Sequence, residues 1–142
     1  MKKILVFSDN HGERDSLVEL IKRYPEIDRF ISLGDSEMKK DDLLALKVSG
    51  VKGNYPFEPA FPHELSIDIF GRRVLFVHGH LQRVKFGLNV LIKKAKAEQY
   101  DFVFFGHTHR IFLEEIAGVV LINPGALSYG RSNNNPSYCL LT

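Results

Sequence analysis

Short apolar runs punctuate this chain, and most of them stop on a turn that carries histidine, aspartate or asparagine. Ile4, Leu5, Val6 and Phe7 run into Ser8-Asp9-Asn10-His11-Gly12. Val74 to Val77 run into His78-Gly79-His80, and Phe102 to Phe105 into Gly106-His107-Thr108-His109. Two further turns add Leu33-Gly34-Asp35 and Val51-Lys52-Gly53-Asn54. Of the six histidines, five stand at such ends. Runs this short, rich in β-branched and aromatic residues, have the length of buried strands rather than helices. Imidazoles and carboxylates delivered repeatedly to strand ends can meet on one rim of a sheet, and that mixture of nitrogen and oxygen donors suits transition metals.

The segments between these runs set the architecture. Residues 13–23 place Leu17, Leu20 and Ile21 at helical spacing before Pro25 ends the pattern. Strands are expected over 30–33 and 48–51, with a short helix over 41–46 between them. A β-α-β-α-β opening of this kind argues for a parallel sheet covered by helices. In the second half, 65–69 alternates cleanly and faces 73–77 across a tight turn, which reads as a hairpin. An amphipathic helix with a basic outer face is expected over 84–97, a second hairpin over 111–115 and 119–122, and a last strand over 137–141. Such a mixed core can stack two sheets face to face.

At 142 residues the chain is expected to form a single domain, 1–142, with enough core to fold without disulfides. A formal net charge of +2 argues against nucleic acid as a partner. The basic pairs, such as Arg72-Arg73 and Lys93-Lys94, read as solvated faces. Cys139, the single cysteine, reads as a small core residue. Ser8 and Asp9 interrupt the first apolar run, which argues against a secretory leader, and no stretch reaches membrane-spanning length. The expectation is a cytoplasmic protein with no membrane partner.

Each motif alone has an ordinary reading. Asp9 or Asn10 could cap the following helix. Gly34-Asp35 and Gly53-Asn54 are common turn pairs. A lone histidine after a buried strand is more often a satisfied core group than a ligand, but His78 and His80 around one glycine weaken that reading. Gly106-His107-Thr108-His109 is the strongest local signal, because two histidines two positions apart, beside a glycine that permits close backbone approach, suit a metal site. His63, among prolines, reads as structural or exposed. Taken together, Asp9, Asp35, Asn54 and four histidines exceed what one ion needs. They suit two ions about 3.5–4 Å apart sharing a carboxylate, the arrangement that hydrolyses phosphate esters.

The ordered set Asp-x-His, Gly-Asp, Gly-Asn, His-Gly-His and Gly-His-x-His, closed by Asn123-Pro124-Gly125, resembles the calcineurin-like metallophosphoesterase superfamily. The compact length is similar to its small YfcE-type phosphodiesterase branch, which is related to the retromer scaffold subunit. The resemblance runs from Ser8 to Arg131. It implies a four-layer α/β/β/α sandwich of two mixed sheets flanked by helices. It also implies metal ligation by Asp9, His11 and His109 at one ion and by Asn54, His78 and His107 at the second, with Asp35 shared. Two divalent ions are implied, manganese first, with iron, zinc, cobalt or nickel as alternatives. The implied reaction is hydrolysis of a small phosphodiester by in-line attack of a metal-bridging hydroxide, with Asp35, Asn54, His80 and Arg131 in catalytic roles. Arg131 would steady the phosphate, with a plain surface arginine as its ordinary alternative, and His80 would donate a proton or orient a ligand.

Two departures matter. Asn10 stands where threonine is usual, outside the implied ligand set. Tyr55 follows Asn54 where several relatives carry a histidine able to protonate the leaving group. Tyrosine, with a reference pKa of about 10, is a poor substitute near neutrality, so esters with poor leaving groups are expected to react slowly. The rival expectation is a metal-binding scaffold or protein-interaction module with little catalysis. Every implied ligand position carries a coordinating residue, which favours the enzyme. Phe57, Phe61 and Phe86 could still form a partner surface, and open sheet edges lend themselves to a homodimer.

Overall fold

The computed structural model describes residues 3–12, 14–54, 61–69, 71–127 and 137–141. Two sheets form its centre. The first has the order β3-β2-β1-β9, built from β1 (Ile4–Phe7), β2 (Arg29–Ser32), β3 (Val48–Gly50) and β9 (Cys139–Leu141). Its first three strands are parallel, and β9 runs antiparallel along the free side of β1. The second has the order β4-β5-β6-β8-β7, from β4 (Glu64–Ile69), β5 (Arg72–Val77), β6 (Phe102–Phe104), β7 (Ile111–Ile116) and β8 (Val119–Pro124). Strands β5, β6 and β8 are parallel, and the hairpin partners β4 and β7 close the two edges in the antiparallel sense.

Alternation along the strands explains the layering. In β1, Leu5 and Phe7 face Leu17, Leu20 and Leu43 of helices α1 (Arg14–Arg23) and α2 (Lys40–Ala45). The intervening Ile4 and Val6 meet Val74, Phe76 and Phe104 of the other sheet. In β5 the pattern repeats: Leu75 and Val77 pack on Leu91 and Ala95 of α3 (Asn89–Ala97). Strands apolar on both faces must be covered on both faces, and the result is the expected α/β/β/α sandwich of two mixed sheets. Phe76 and Phe104 stack at 5.1 Å in the middle layer. Cys139 is half-buried in β9, where burial pushes its thiol pKa up.

Two expectations need correction. The helix expected over 84–97 is broken: Val84–Phe86 form a single 3-10 turn, Gly87 follows at φ 126°, and α3 starts only at Asn89. Val84 is drawn inward against Gly79, where an added Cβ would lie 2.8 Å from its Cγ2, so the chain turns there instead of continuing the helical spiral. Phe61 is not an exposed group but packs against the α1/α2 core, with Lys40 Nζ 5.5 Å from its ring centre. Phe86 is 91% exposed, as expected, and Phe57 lies outside the described residues.

Candidate metal centre

All the parallel strands of both sheets deliver their C-terminal ends to one rim, where ligands of α/β proteins collect. From the first sheet come Asp9 and His11 after β1, Asp35 after β2 and Asn54 after β3. From the second come His78 and His80 after β5 and His107 and His109 after β6. The loops are stitched together by backbone bonds: Asp9 N–H donates to Gly34 O at 3.0 Å, His11 N–H to Asp35 O at 3.1 Å, and Gly106 N–H to His78 O at 2.8 Å.

Five of the seven expected ligands, Asp9, His11, Asp35, His107 and His109, have left-handed backbone, with φ between 45° and 69°. Aspartate and histidine tolerate this region better than most residues, yet its repetition here is a cost that the surrounding packing must hold in place. Glycines supply the space. A Cβ on Gly53 would collide with Asp35, and one on Gly106 would collide with Ser8 Oγ. A Cβ on Gly34, which itself has φ 107°, would lie 2.9 Å from His78 Nδ1.

The donors fall into two groups. Asp9, His11 and His109 form one, and Asp35, His78 and His107 the other; within each, one donor atom per residue lies within 4.8 Å of the others. In the first, His109 Nε2 is 3.2 Å from Asp9 Oδ1 and 3.5 Å from His11 Nε2. In the second, His78 Nε2 is 3.3 Å from Asp35 Oδ2 and 3.2 Å from His107 Nδ1. Asn54 adjoins the second group: its backbone N–H donates to Asp35 Oδ1 at 2.9 Å. With its NH2 turned inward, its amide would reach Asp35 Oδ2 at 2.9 Å and His78 Nε2 at 3.2 Å; with its carbonyl inward it faces only acceptors. An oxygen among acceptors is unfavourable without a cation, and becomes a ligand with one. The donor set therefore fits divalent ions at both groups.

Neighbouring groups fix which ring nitrogen faces inward. His78 Nδ1 donates to Leu33 O at 2.7 Å, leaving Nε2 for the group. His11 Nδ1 meets Glu37 Oε2 at 2.7 Å, again leaving Nε2. Ser8 Oγ donates to Asp9 Oδ2, which also accepts from His107 N–H at 3.3 Å. Asn123, buried at the end of β8, donates from Nδ2 to Gly106 O at 3.2 Å and Thr108 Oγ1 at 2.9 Å, bracing the turn that holds His107 and His109. Sequence reading missed Ser8 and Glu37. It saw Asn123 only as part of a motif, since no local spacing announces a brace that acts across loops.

Electrostatics differ between the rings. Burial pushes the His107 pKa down to about 4, helped by the charges of His78 and Lys85, so near neutrality it offers a free lone pair. Burial also opposes protonation of His78, but its hydrogen bond to Asp35 and the charges of Asp9 and Asp35 prevail and raise its pKa. Burial lowers the pKa of His80, with His78 and His63 adding to the effect. The His80 ring stands 5.4 Å from that of His78 and 6.2 Å from that of His107, beside the second group rather than in it. His63, exposed, has its ring 6.1 Å from that of His80. Asn10 is buried, and its Nδ2 donates to Met38 Sδ at 3.4 Å. Tyr55 and Arg131 lie outside the described residues. Among the described residues no helix is long and apolar enough to cross a membrane.

Comparison with known proteins agrees with the fold. Residues 1–142 match the family described as the calcineurin-like phosphoesterase superfamily domain. The probable metallophosphoesterase YsnB of Bacillus subtilis is 34% identical over 140 residues, covering 98% of this chain and 83% of its own. A phosphodiesterase of Methanocaldococcus jannaschii is 38% identical over 61 residues, covering 43% of this chain and 33% of its own. Among solved structures, a conserved uncharacterized protein from Streptococcus pneumoniae, described as a predicted phosphoesterase, superposes with a TM-score of 0.86 at 28% identity. That match covers 98% of this chain and 81% of the other.

Proposed function

We propose that this chain, which belongs to the calcineurin-like phosphoesterase superfamily, is a phosphodiesterase that works with two divalent metal ions. One observation carries the reading: two three-donor groups, each drawing on both sheets, stand side by side at one rim with Asn54 against the second. In this assignment Asp9, His11 and His109 hold one ion, Asn54, His78 and His107 the other, and Asp35 is shared. The donors are mixed imidazole, carboxylate and amide, a set that accepts manganese, iron, zinc, cobalt or nickel, and manganese is the first choice. When bound, two such ions lower the pKa of water to supply a nucleophile near neutral pH, and neutralise the phosphoryl oxygens.

The chain's own residues do the rest. Ser8 and the His107 N–H hold the Asp9 carboxylate, Glu37 and Leu33 O fix the tautomers of His11 and His78, and Asn123 holds the turn between the two sites. These contacts keep the donors oriented before any ligand arrives, which is how a site avoids reorganisation during reaction. His80, neutral because burial lowers its pKa, borders the second group and is assigned to orient it or to relay a proton. Arg131 is assigned the phosphate on its sequence position alone. A diester with a good leaving group is the preferred substrate, since Tyr55 offers no ready acid.

The test is turnover of matched nitrophenyl phosphate diester and monoester by the manganese-loaded protein, with Asp35→Asn beside it. Diester turnover that disappears in Asp35→Asn and on chelation is expected. No turnover of either ester with manganese, iron, zinc or cobalt would overturn the assignment and favour a binding module.

A further inference from the structure

Strand β7 ends the second sheet, and among the described residues no strand pairs with its outer side. The two edges of this sheet are built differently. Along β4 the exposed residues are Glu64, Ser66 and Asp68, with Lys94 Nζ 2.8 Å from Glu64 Oε2, so polar and charged groups guard that edge. Along β7 the exposed residues begin with Ile111 and Leu113, 64% and 68% accessible. Both lie on one face of the strand, while Phe112 and Ile116 on the other face pack against the core beneath α3. An open edge that carries exposed aliphatic side chains, with neither lysine nor proline in the strand, is built to accept another strand.

The backbone fixes which groups are free. Ala117 and Gly118, at φ 54° and 84°, form a two-residue turn between β7 and β8, so Ile116 and Val119 exchange both of their hydrogen bonds. Two and four positions back, Glu114 and Phe112 also turn their N–H and C=O toward β8. Pro124, which has no N–H, stands opposite Ile111, as this alternation requires. The outward N–H and C=O groups of β7 therefore belong to Ile111, Leu113 and Glu115.

We propose that β7 pairs antiparallel with β7 of a second copy, across a two-fold axis through Phe112, joining two five-stranded sheets edge to edge. In this register Ile111 exchanges backbone hydrogen bonds with the partner's Leu113, so the two exposed aliphatic groups cover each other. Arg110 stands opposite the partner's Glu114, both exposed, and symmetry makes each pair twice. The charges select the register. Centring on Leu113 would set Ile111 against Glu115 and Phe112 against Glu114, and centring on Glu114 would oppose two like charges. Centring nearer either end leaves half of the strand unpaired. A single run whose aliphatic and charged positions match themselves on reversal points to a second copy rather than to an unrelated strand.

The experiment is sedimentation equilibrium of the full chain with manganese present, beside Leu113→Lys, Arg110→Glu and the swap Arg110→Glu/Glu114→Arg. All three positions are exposed, so circular dichroism should be unchanged. The wild-type chain is expected to form a dimer that dissociates on dilution. Leu113→Lys, which sets a lysine on the free edge, should be monomeric. Arg110→Glu should raise the dissociation constant about 10-fold, the scale of two cross-strand charge pairs turned from attraction to repulsion, and the swap should restore most of that loss. A wild-type chain that stays monomeric at millimolar concentration would overturn the proposal in favour of a strand from another protein. A dimer that Leu113→Lys leaves intact would place the contact elsewhere and overturn it equally. If the swap bound no more tightly than Arg110→Glu alone, the pairing of Arg110 with Glu114 would be wrong, and with it the axis through Phe112.

Discussion

Glu37 Oε2 lies 2.7 Å from His11 Nδ1, joining a residue after β2 to one after β1 beside the candidate centre. The contact fixes the His11 tautomer, and it also ties two loops whose backbones run together through His11 N–H to Asp35 O. Carboxylate partners of this sort usually change metal affinity about 10–100-fold when removed. Glu37→Ala is therefore expected to weaken binding at the group of Asp9, His11 and His109 by about that factor. Calorimetric titration should show one weakened and one unchanged event, and two unchanged events would mean Glu37 does not orient His11.

The glycine contacts give a second expectation. An alanine methyl at position 53 has no room beside Asp35, whose backbone N and Oδ1 it would strike. Gly53→Ala should displace Asp35 and lower stability by about 1–3 kcal/mol, the usual scale of overpacking. Gly53 lacks the left-handed backbone of Gly71, which has φ 78° and open space around it, so the loss in Gly53→Ala comes from the collision alone. Urea unfolding checks this: a loss below about 0.5 kcal/mol in Gly53→Ala would show that Asp35 gives way without cost.

Acid should act on the metal-free protein through His107. Its folded pKa of about 4 lies below the ordinary 6.5. The unfolded chain thus takes up a proton there before the folded one does. The stability this group contributes is complete above about pH 6.5 and is lost as pH falls toward 4. His78 carries the opposite sign, since its pKa is raised, and offsets part of the loss. In chelator, the urea midpoint of His107→Gln is expected to fall less between pH 7 and pH 5 than that of the wild-type chain. Parallel falls would place the acid sensitivity elsewhere.

Asn123 offers a test of positioning without ligation. It bonds to Gly106 O and Thr108 Oγ1, and its Oδ1 accepts from Gly125 N–H at 2.9 Å. Asn123→Ala leaves the buried Gly106 carbonyl and the half-buried Thr108 hydroxyl without this donor, at a cost of about 1–3 kcal/mol. Its effect on diester turnover should fall in kcat more than in KM, because donor placement suffers more than access. A change confined to KM would count against the brace.

What could be read from the sequence was what each residue declares locally. Four-residue apolar runs such as Ile4 to Phe7 became strands buried on both faces, and the polar turns after them became the rim. The break at Gly87 was not legible, because residues 84–97 keep a helical pattern and the fold overrides it through the fit of Val84 against Gly79. Glu37 and the true role of Asn123 were hidden for a related reason, whereas Ser8 was missed although its partner is the adjacent Asp9. The partners of Glu37 and Asn123 lie in other loops, 26 and 15–17 positions away. Nor does the sequence disclose left-handed backbone at Asp9 or His109, which depends on where the loop must return.

Each donor group takes residues from both sheets: Asp9 and His11 with His109, Asp35 with His78 and His107. Ions held by these residues would act as rivets through the seam between the two β layers. Heat resistance should then rise with free metal concentration by simple mass action, independently of any reaction. A chain of this design could lose its chemistry and still need its metal in order to stay closed.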